Sequence, residues 1–150
     1  MIDFEVIAYK SDEYLEMVEL RNRILRLPIG LTFSESDLKK DEDDLLLVAS
    51  LQKTNKIVAC CILAPLSEYA VQLRQMAVDS FYQGKGLGSE MINFAEQIAI
   101  EHNFGYLCLH ARKTAVGFYK KHGYAIEGDL FMEVGIPHFD MGKIINANYK

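Results

Sequence analysis

The stretch Gln83-Gly84-Lys85-Gly86-Leu87-Gly88-Ser89 places three glycines in seven residues between a strand pattern and a helix pattern. Glycine tolerates positive φ and has no Cβ, so successive backbone N–H groups in such a loop can converge on an anion. Before the loop, Val71 to Val78 alternates, with Val71, Leu73, Gln75 and Ala77 on one face and Gln72, Arg74, Met76 and Val78 on the other. After it, Met91, Ile92, Ala95, Ile98 and Ala99 recur at helical spacing as far as His102. A helix that opens at the loop adds its unsatisfied amides and positive dipole end, and Lys85 adds a point charge. The combination is expected to cradle a diphosphate; the alternative is a plain connecting turn. A Walker A loop needs four residues between its first glycine and Gly-Lys-Ser/Thr, which this sequence does not supply. A dinucleotide fingerprint also fits poorly, because the third glycine comes one residue early.

The strand pattern Tyr106 to His110 follows that helix, so strand, crossover helix and strand imply a parallel pair. Around it, Phe4 to Ala8 reads as a strand and Ser11 as the N-cap of a helix reaching about Leu25. Leu45 to Leu51 and Ile57 to Leu63 read as a hairpin across Lys53-Thr54-Asn55. Thr114 to His122 reads as a short helix closed by Gly123, and Tyr124 to Val134 and His138 to Ile145 read as two closing strands. The expectation is one domain over 1–150, since 150 residues can bury a core but not two. Sixteen Lys and Arg against 21 Asp and Glu give a net charge of −5, the wrong sign for nucleic acid or anionic membranes as partners. Cys60 and Cys61 are strand neighbours facing opposite ways, and Cys108 stands alone. Free thiols, with no signal-peptide pattern, point to a cytoplasmic protein. The histidines His102, His110, His122 and His138 lack compact ligand spacing, so no metal is expected.

Three motifs in order then become specific. Gln83-x-x-Gly86-x-Gly88 resembles the Gln/Arg-x-x-Gly-x-Gly/Ala motif of the GNAT superfamily of acyl-CoA-dependent N-acyltransferases. Leu73 to Asp79 resembles the family strand leading into that loop, and Ala115 to Tyr124 its later helix and turn. Gly135-Ile136-Pro137-His138-Phe139-Asp140-Met141 resembles the ending of the ElaA-like branch. The resemblance implies an α/β fold with a central mixed sheet of about six to seven strands flanked by helices, and a splayed parallel pair at the cofactor site. It implies acetyl-CoA as cosubstrate, with its pyrophosphate on the amides of Gln83, Gly84, Lys85, Gly86, Leu87, Gly88 and Ser89. Its pantetheine arm would lie along Met76, Ala77 and Val78, with a backbone N–H near Val78 polarising the acyl carbonyl.

The same resemblance gives Tyr119 as general acid toward the leaving thiolate. A phenol with a pKa of about 10 can donate a hydrogen bond or proton to a thiolate of about 8.5. For the base, His138 comes first because it follows Pro137 in the ending that resembles the branch and a neutral imidazole suits pH 7, with Glu133, His110 or a water relay as alternatives. The competing reading is that His138 orients a strand turn through hydrogen bonds. Many relatives carry Asn seven residues before the tyrosine, where this chain has Arg112. Its guanidinium is open to the cofactor, the acceptor or solvent. Asp37 and the run Asp41-Glu42-Asp43-Asp44 either draw a cationic amine or form a solvated loop. The expected activity is transfer of acetyl to a primary amine of a small molecule or peptide, in a family where homodimers are common. The competing readings are an acyl-CoA sensor without turnover, which has less need of Tyr119, and a nucleotide-binding regulator, which the loop spacing disfavours.

Overall fold

Apolar strand runs and one crossover helix build a single mixed sheet. The computed structural model describes residues 1–147. In it, β1 (Ile2–Ile7), β2 (Leu45–Leu51), β3 (Ile57–Pro65) and β4 (Ala70–Val78) lie side by side and antiparallel. Between β1 and β2 run α1 (Asp12–Arg21) and the short α2 (Glu35–Lys39). After β4 come α3 (Leu87–Glu101), β5 (Tyr106–Arg112) and α4 (Val116–Lys121). The chain closes with β6 (Ala125–Ile126), β7 (Phe131–Glu133) and β8 (Ile136–Ile144). The sheet order is β1-β2-β3-β4-β5-β8-β6, with β7 also paired to β8. β4 and β5 are parallel, as the crossover through α3 requires.

The sheet has eight strands, above the six to seven expected, because Tyr124 to Val134 is broken in two. Gly128, at φ 143°, turns the chain between β6 and β7. Val134 and Gly135, at φ 46° and 74°, then make the two-residue hairpin into β8. The first helix is capped as expected, Ser11 accepting from the Tyr14 amide, but its regular winding ends at Arg21. Residues Asn22–Arg26 form a π-turn and Leu27–Ile29 a 3₁₀ turn, stopped by Gly30 at φ 77°.

A bulge breaks the simple alternation expected of β4. Ile62 pairs with Arg74 but Cys60 with Ala77, so Gln75 and Met76 together oppose Cys61, and Gln75 takes φ 55°. Val71 and Leu73 therefore share their face with Met76 and Val78, against α3 and α4, while Ala77 turns to the α1 side. Cys60 and Cys61 also divide between the two faces, as strand neighbours must.

Asp41, within the acidic run, is not a solvated residue. It and Arg21 are fully buried, with Arg21 Nη1 2.8 Å from Asp41 Oδ2. The Tyr14 hydroxyl donates to the same oxygen at 2.7 Å, and Arg74 Nη2 reaches Oδ1 at 3.2 Å. Asp44 meets Arg74 Nη1 at 3.5 Å, and burial raises its pKa. Only Glu42 and Asp43 of the run are exposed. The carboxylate thus ties α1 and the segment after α2 to β4. Asp41→Ala leaves Arg21 buried without its counter-ion and should cost about 3–5 kcal/mol, read as a lower midpoint in urea unfolding.

Candidate functional site

β4 and β5 pair only from Ala70 with Tyr106 to Leu73 with Leu109, and then part. The bulge at Gln75 lies just past the last pair, so the β5-facing edge of β4 stays open there. A cavity of about 550 Å³ occupies this gap. Gln75, Met76, Tyr119, His138, Glu133 and Arg112 are among the residues that line it.

The glycine loop sits where β4 leads into α3. Gly84 and Gly86 adopt φ 75° and 85°, where glycine alone is unstrained. Gly88 differs: its φ is ordinary, and a Cβ there would press on the Phe118 ring at 3.3 Å. The first intrahelical bond of α3 runs from the Glu90 amide to the Gly86 carbonyl, so the amides of Leu87, Gly88 and Ser89 have no partner within the helix. These donors and the left-handed glycines fit an anionic group. Leu87 buries its side chain and can offer only its backbone. Lys85 packs its ammonium 4.1 Å from the Phe81 ring, and the Gln83 side chain turns back to donate to the Val78 carbonyl at 2.9 Å.

Two partners of this loop were not legible in the sequence. Ser89 Oγ lies 2.9 Å from His122 Nε2, joining α3 to the end of α4. Asp79 caps the turn before the loop through the Phe81 amide at 3.0 Å and holds Arg23 at 2.8 Å. The Ser89–His122 and Asp79–Arg23 pairings carried no spacing signal, because each crosses between distant elements.

Tyr119 is buried, edge-on to Phe118 and Tyr124. Since Phe118 touches the Gly88 position, the phenol stands between loop and cavity. Burial, with a smaller push from Cys61, holds its pKa above that of an ordinary phenol, so the hydroxyl keeps its proton.

The three candidate bases are brought together but are not equivalent. His110 has Glu133 Oε1 2.9 Å from Nδ1 and Asp140 Oδ1 3.1 Å from Nε2, so both of its nitrogens are engaged. His138 is buried, and its Nδ1 lies 2.7 Å from the Ile136 carbonyl. A carbonyl only accepts, so Nδ1 carries the hydrogen and the neutral ring keeps its lone pair on Nε2. Glu133 Oε2 is 3.7 Å from that Nε2, too far for a hydrogen bond.

The structure does not bring every candidate into the cavity. Ala77, Val78 and residues 83–89 do not line it, and the Ala77 side chain packs on the α1 side. Arg112 does line it, and Nη2 donates to the Leu25 carbonyl at 3.0 Å, fastening the π-turn to the end of β5. Asp37 also lines the cavity. It accepts from the Ser34 amide, which, followed by the Ser34 side chain, lowers its pKa. Among the described residues no group of three or more His, Cys, Asp or Glu could hold a metal ion. No helix among them is long and apolar enough to cross a membrane. Arg112→Ala should speed deuterium exchange over residues 22–30 and lower stability by about 1.5 kcal/mol; unchanged exchange there would show that the bond does not hold the turn.

Comparison with known proteins fits this geometry. The chain is 36% identical over 80 residues to the uncharacterized protein YyaT of Bacillus subtilis strain 168, a match covering 53% of this chain and 54% of that one. The chain thus spans about half the length of that relative. Its fold is similar to that of ElaA from Escherichia coli, with TM-score 0.82, 17% identity and coverage of 95% and 99% of the two chains. It is also similar to a GNAT family acetyltransferase from Elizabethkingia anophelis solved with acetyl-CoA bound, with TM-score 0.71, 18% identity and coverage of 95% and 97%. Residues 12–124 match the acetyltransferase (GNAT) family, and the chain belongs to that family.

Proposed function

We propose that this protein is an N-acetyltransferase that moves acetyl from acetyl-CoA to a primary amine by direct attack, in the cytoplasm. The observation that carries the reading is the amide-rich Gln83–Ser89 loop a few residues after β4, together with a cavity, lined by Gln75 and Met76 of β4, that holds a buried phenol and a histidine Nε2 with no hydrogen-bond partner among the described residues. The amides of Leu87, Gly88 and Ser89 would take the pyrophosphate, and the open edge of β4 at Met76 to Val78 the pantetheine amides. Remote binding of this kind fixes an uncharged thioester for attack. The Elizabethkingia protein, with the same fold, has acetyl-CoA bound.

In the transfer step the amine nitrogen bonds to the acyl carbon as the carbon–sulfur bond breaks. The amine's proton passes to His138 Nε2, and Glu133 stabilises the resulting imidazolium. The electron pair of the broken bond leaves on sulfur, where the Tyr119 hydroxyl donates a hydrogen bond; the thiolate then takes a proton from solvent as the His138 imidazolium returns its own, so the products are an amide and CoA thiol. A sensor without turnover would have no use for a buried phenol and a free imidazole nitrogen in one cavity.

Thiol release from acetyl-CoA across an amine panel tests the reading. Tyr119→Phe should lower turnover by about 10–100-fold with acetyl-CoA affinity within about twofold; unchanged turnover would remove Tyr119 from the chemistry. Gly86→Glu should weaken acetyl-CoA binding at least about tenfold in calorimetry, through backbone strain and charge repulsion. Gly86→Ala, which keeps the strain without the charge, should lose less. Wild-type affinity in the Glu variant would overturn the pyrophosphate assignment.

A further inference from the structure

The cavity at the β4–β5 gap is charged against the trend of the chain. The sequence carries −5, yet Arg21, Arg26, Lys40, Arg74 and Arg112 line the cavity against two carboxylates, Asp37 and Glu133. Arg21 and Arg74 are already committed to Asp41 and Asp44. Arg26 and Arg112 are not, for neither has a carboxylate at ion-pair distance among the described residues. Arg112 spends one N–H on the Leu25 carbonyl, which leaves the other donors of its fork. Arg26 is the next residue along, its guanidinium 4.3 Å from the Phe33 ring centroid. One bond therefore sets the Arg112 guanidinium beside the backbone of the turn that carries Arg26, and both side chains line the cavity. Asp37, the lining carboxylate nearer to Arg26 in sequence, is engaged by Ser34, and Arg26 and Lys40 act on it only as lesser influences.

The π-turn that carries Arg26 packs on β4, whereas β7, which carries Glu133, pairs with β8 beyond β5, and His138 of β8 is the cross-strand partner of Arg112. Glu133 and His138 form the proton-accepting end, next to Arg112. We propose that the acceptor is a zwitterion: an amine whose molecule also bears an anionic oxygen group, carboxylate or phosphate, held by Arg26 and Arg112 while its amine faces His138 and Glu133. This proposal rests on the transferase reading above. A guanidinium fork recognises such a group through paired N–H donors, and two forks in one cavity discriminate against a neutral analogue. The cosubstrate's pyrophosphate is the obvious rival for these arginines, but no residue of the 83–89 cradle lines this cavity.

Matched acceptor pairs separate the outcomes: amino acids against their amides, and O-phosphoethanolamine against ethanolamine, at saturating acetyl-CoA. The anionic member of one pair should have kcat/KM about 10–100-fold higher, chiefly through KM, and the pair showing it identifies carboxylate or phosphate. Arg26→Gln should collapse that preference towards unity, with Arg26→Lys recovering part of it. Arg112→Gln should act in the same direction, and thermal melting of Arg26→Gln checks that the fold survives. Equal or better turnover of the neutral members, or a preference that survives Arg26→Gln, overturns the proposal while leaving amine transfer intact. If acetyl-CoA binds but no amine of either kind releases thiol, the transferase reading itself falls, and the proposal with it.

Discussion

The site depends on the parting of two parallel strands. β4 and β5 share a ladder from Ala70 to Leu73 and then diverge, and the cavity opens where they do. A parted ladder leaves backbone donors and acceptors unspent, which a compact chain tolerates only where another group can take them up. The bulge at Gln75 cooperates with the divergence. By inserting a residue opposite Cys61, it turns Met76 toward the α3 and α4 side and the cavity. The glycine loop follows a few residues after the end of β4, beyond a 3₁₀ turn at Ser80–Tyr82.

The gap needs a roof, and buried charge supplies part of it. Asp41 accepts from Arg21, Tyr14 and Arg74 at once, so α1, the segment after α2 and β4 are held by one desolvated carboxylate. Such a centre is costly to bury and gives little net stability against an apolar substitute, but it fixes geometry because each partner has a single productive orientation. Just past it, the helix rewinds as a π-turn that Arg112 fastens from β5. Local departures of this kind often mark functional positions. Here the departure carries Arg26 to the cavity.

Much of this was legible in the sequence where the signal was local. The loop glycines, the Ser11 cap, the hairpin across Asn55 and the opposite facing of Cys60 and Cys61 all follow from neighbours in the chain. The bulge was not, because Gln75-Met76 satisfies either register and nothing nearby marks an inserted residue. Nor was the burial of Asp41: four consecutive acidic residues resemble a solvated turn, and its partners Arg21 and Arg74 lie 20 and 33 positions away. Arg112 was a departure from the family pattern without a role until Leu25 was seen beside it. The surroundings of His138, His110 and Glu133 likewise needed distances, since none of their mutual contacts follows from spacing in the chain.

The surroundings of Tyr119 also constrain the chemistry proposed for it. Burial holds the phenol's pKa above its ordinary value, well above that of the thiol it would face. Complete proton transfer to a thiolate of pKa about 8.5 is then uphill, while a hydrogen bond from a fixed, protonated hydroxyl to the sulfur as charge develops is not. A thiolate is a competent leaving group, so this smaller contribution suffices. The harder task is on the other side of the acyl carbon, where an amine must lose its proton, and there the chain places a buried imidazole with a carboxylate behind it. In the transfer proposed above the demand for proton transfer would fall on His138, and Tyr119 would serve as an electrostatic partner to the leaving sulfur.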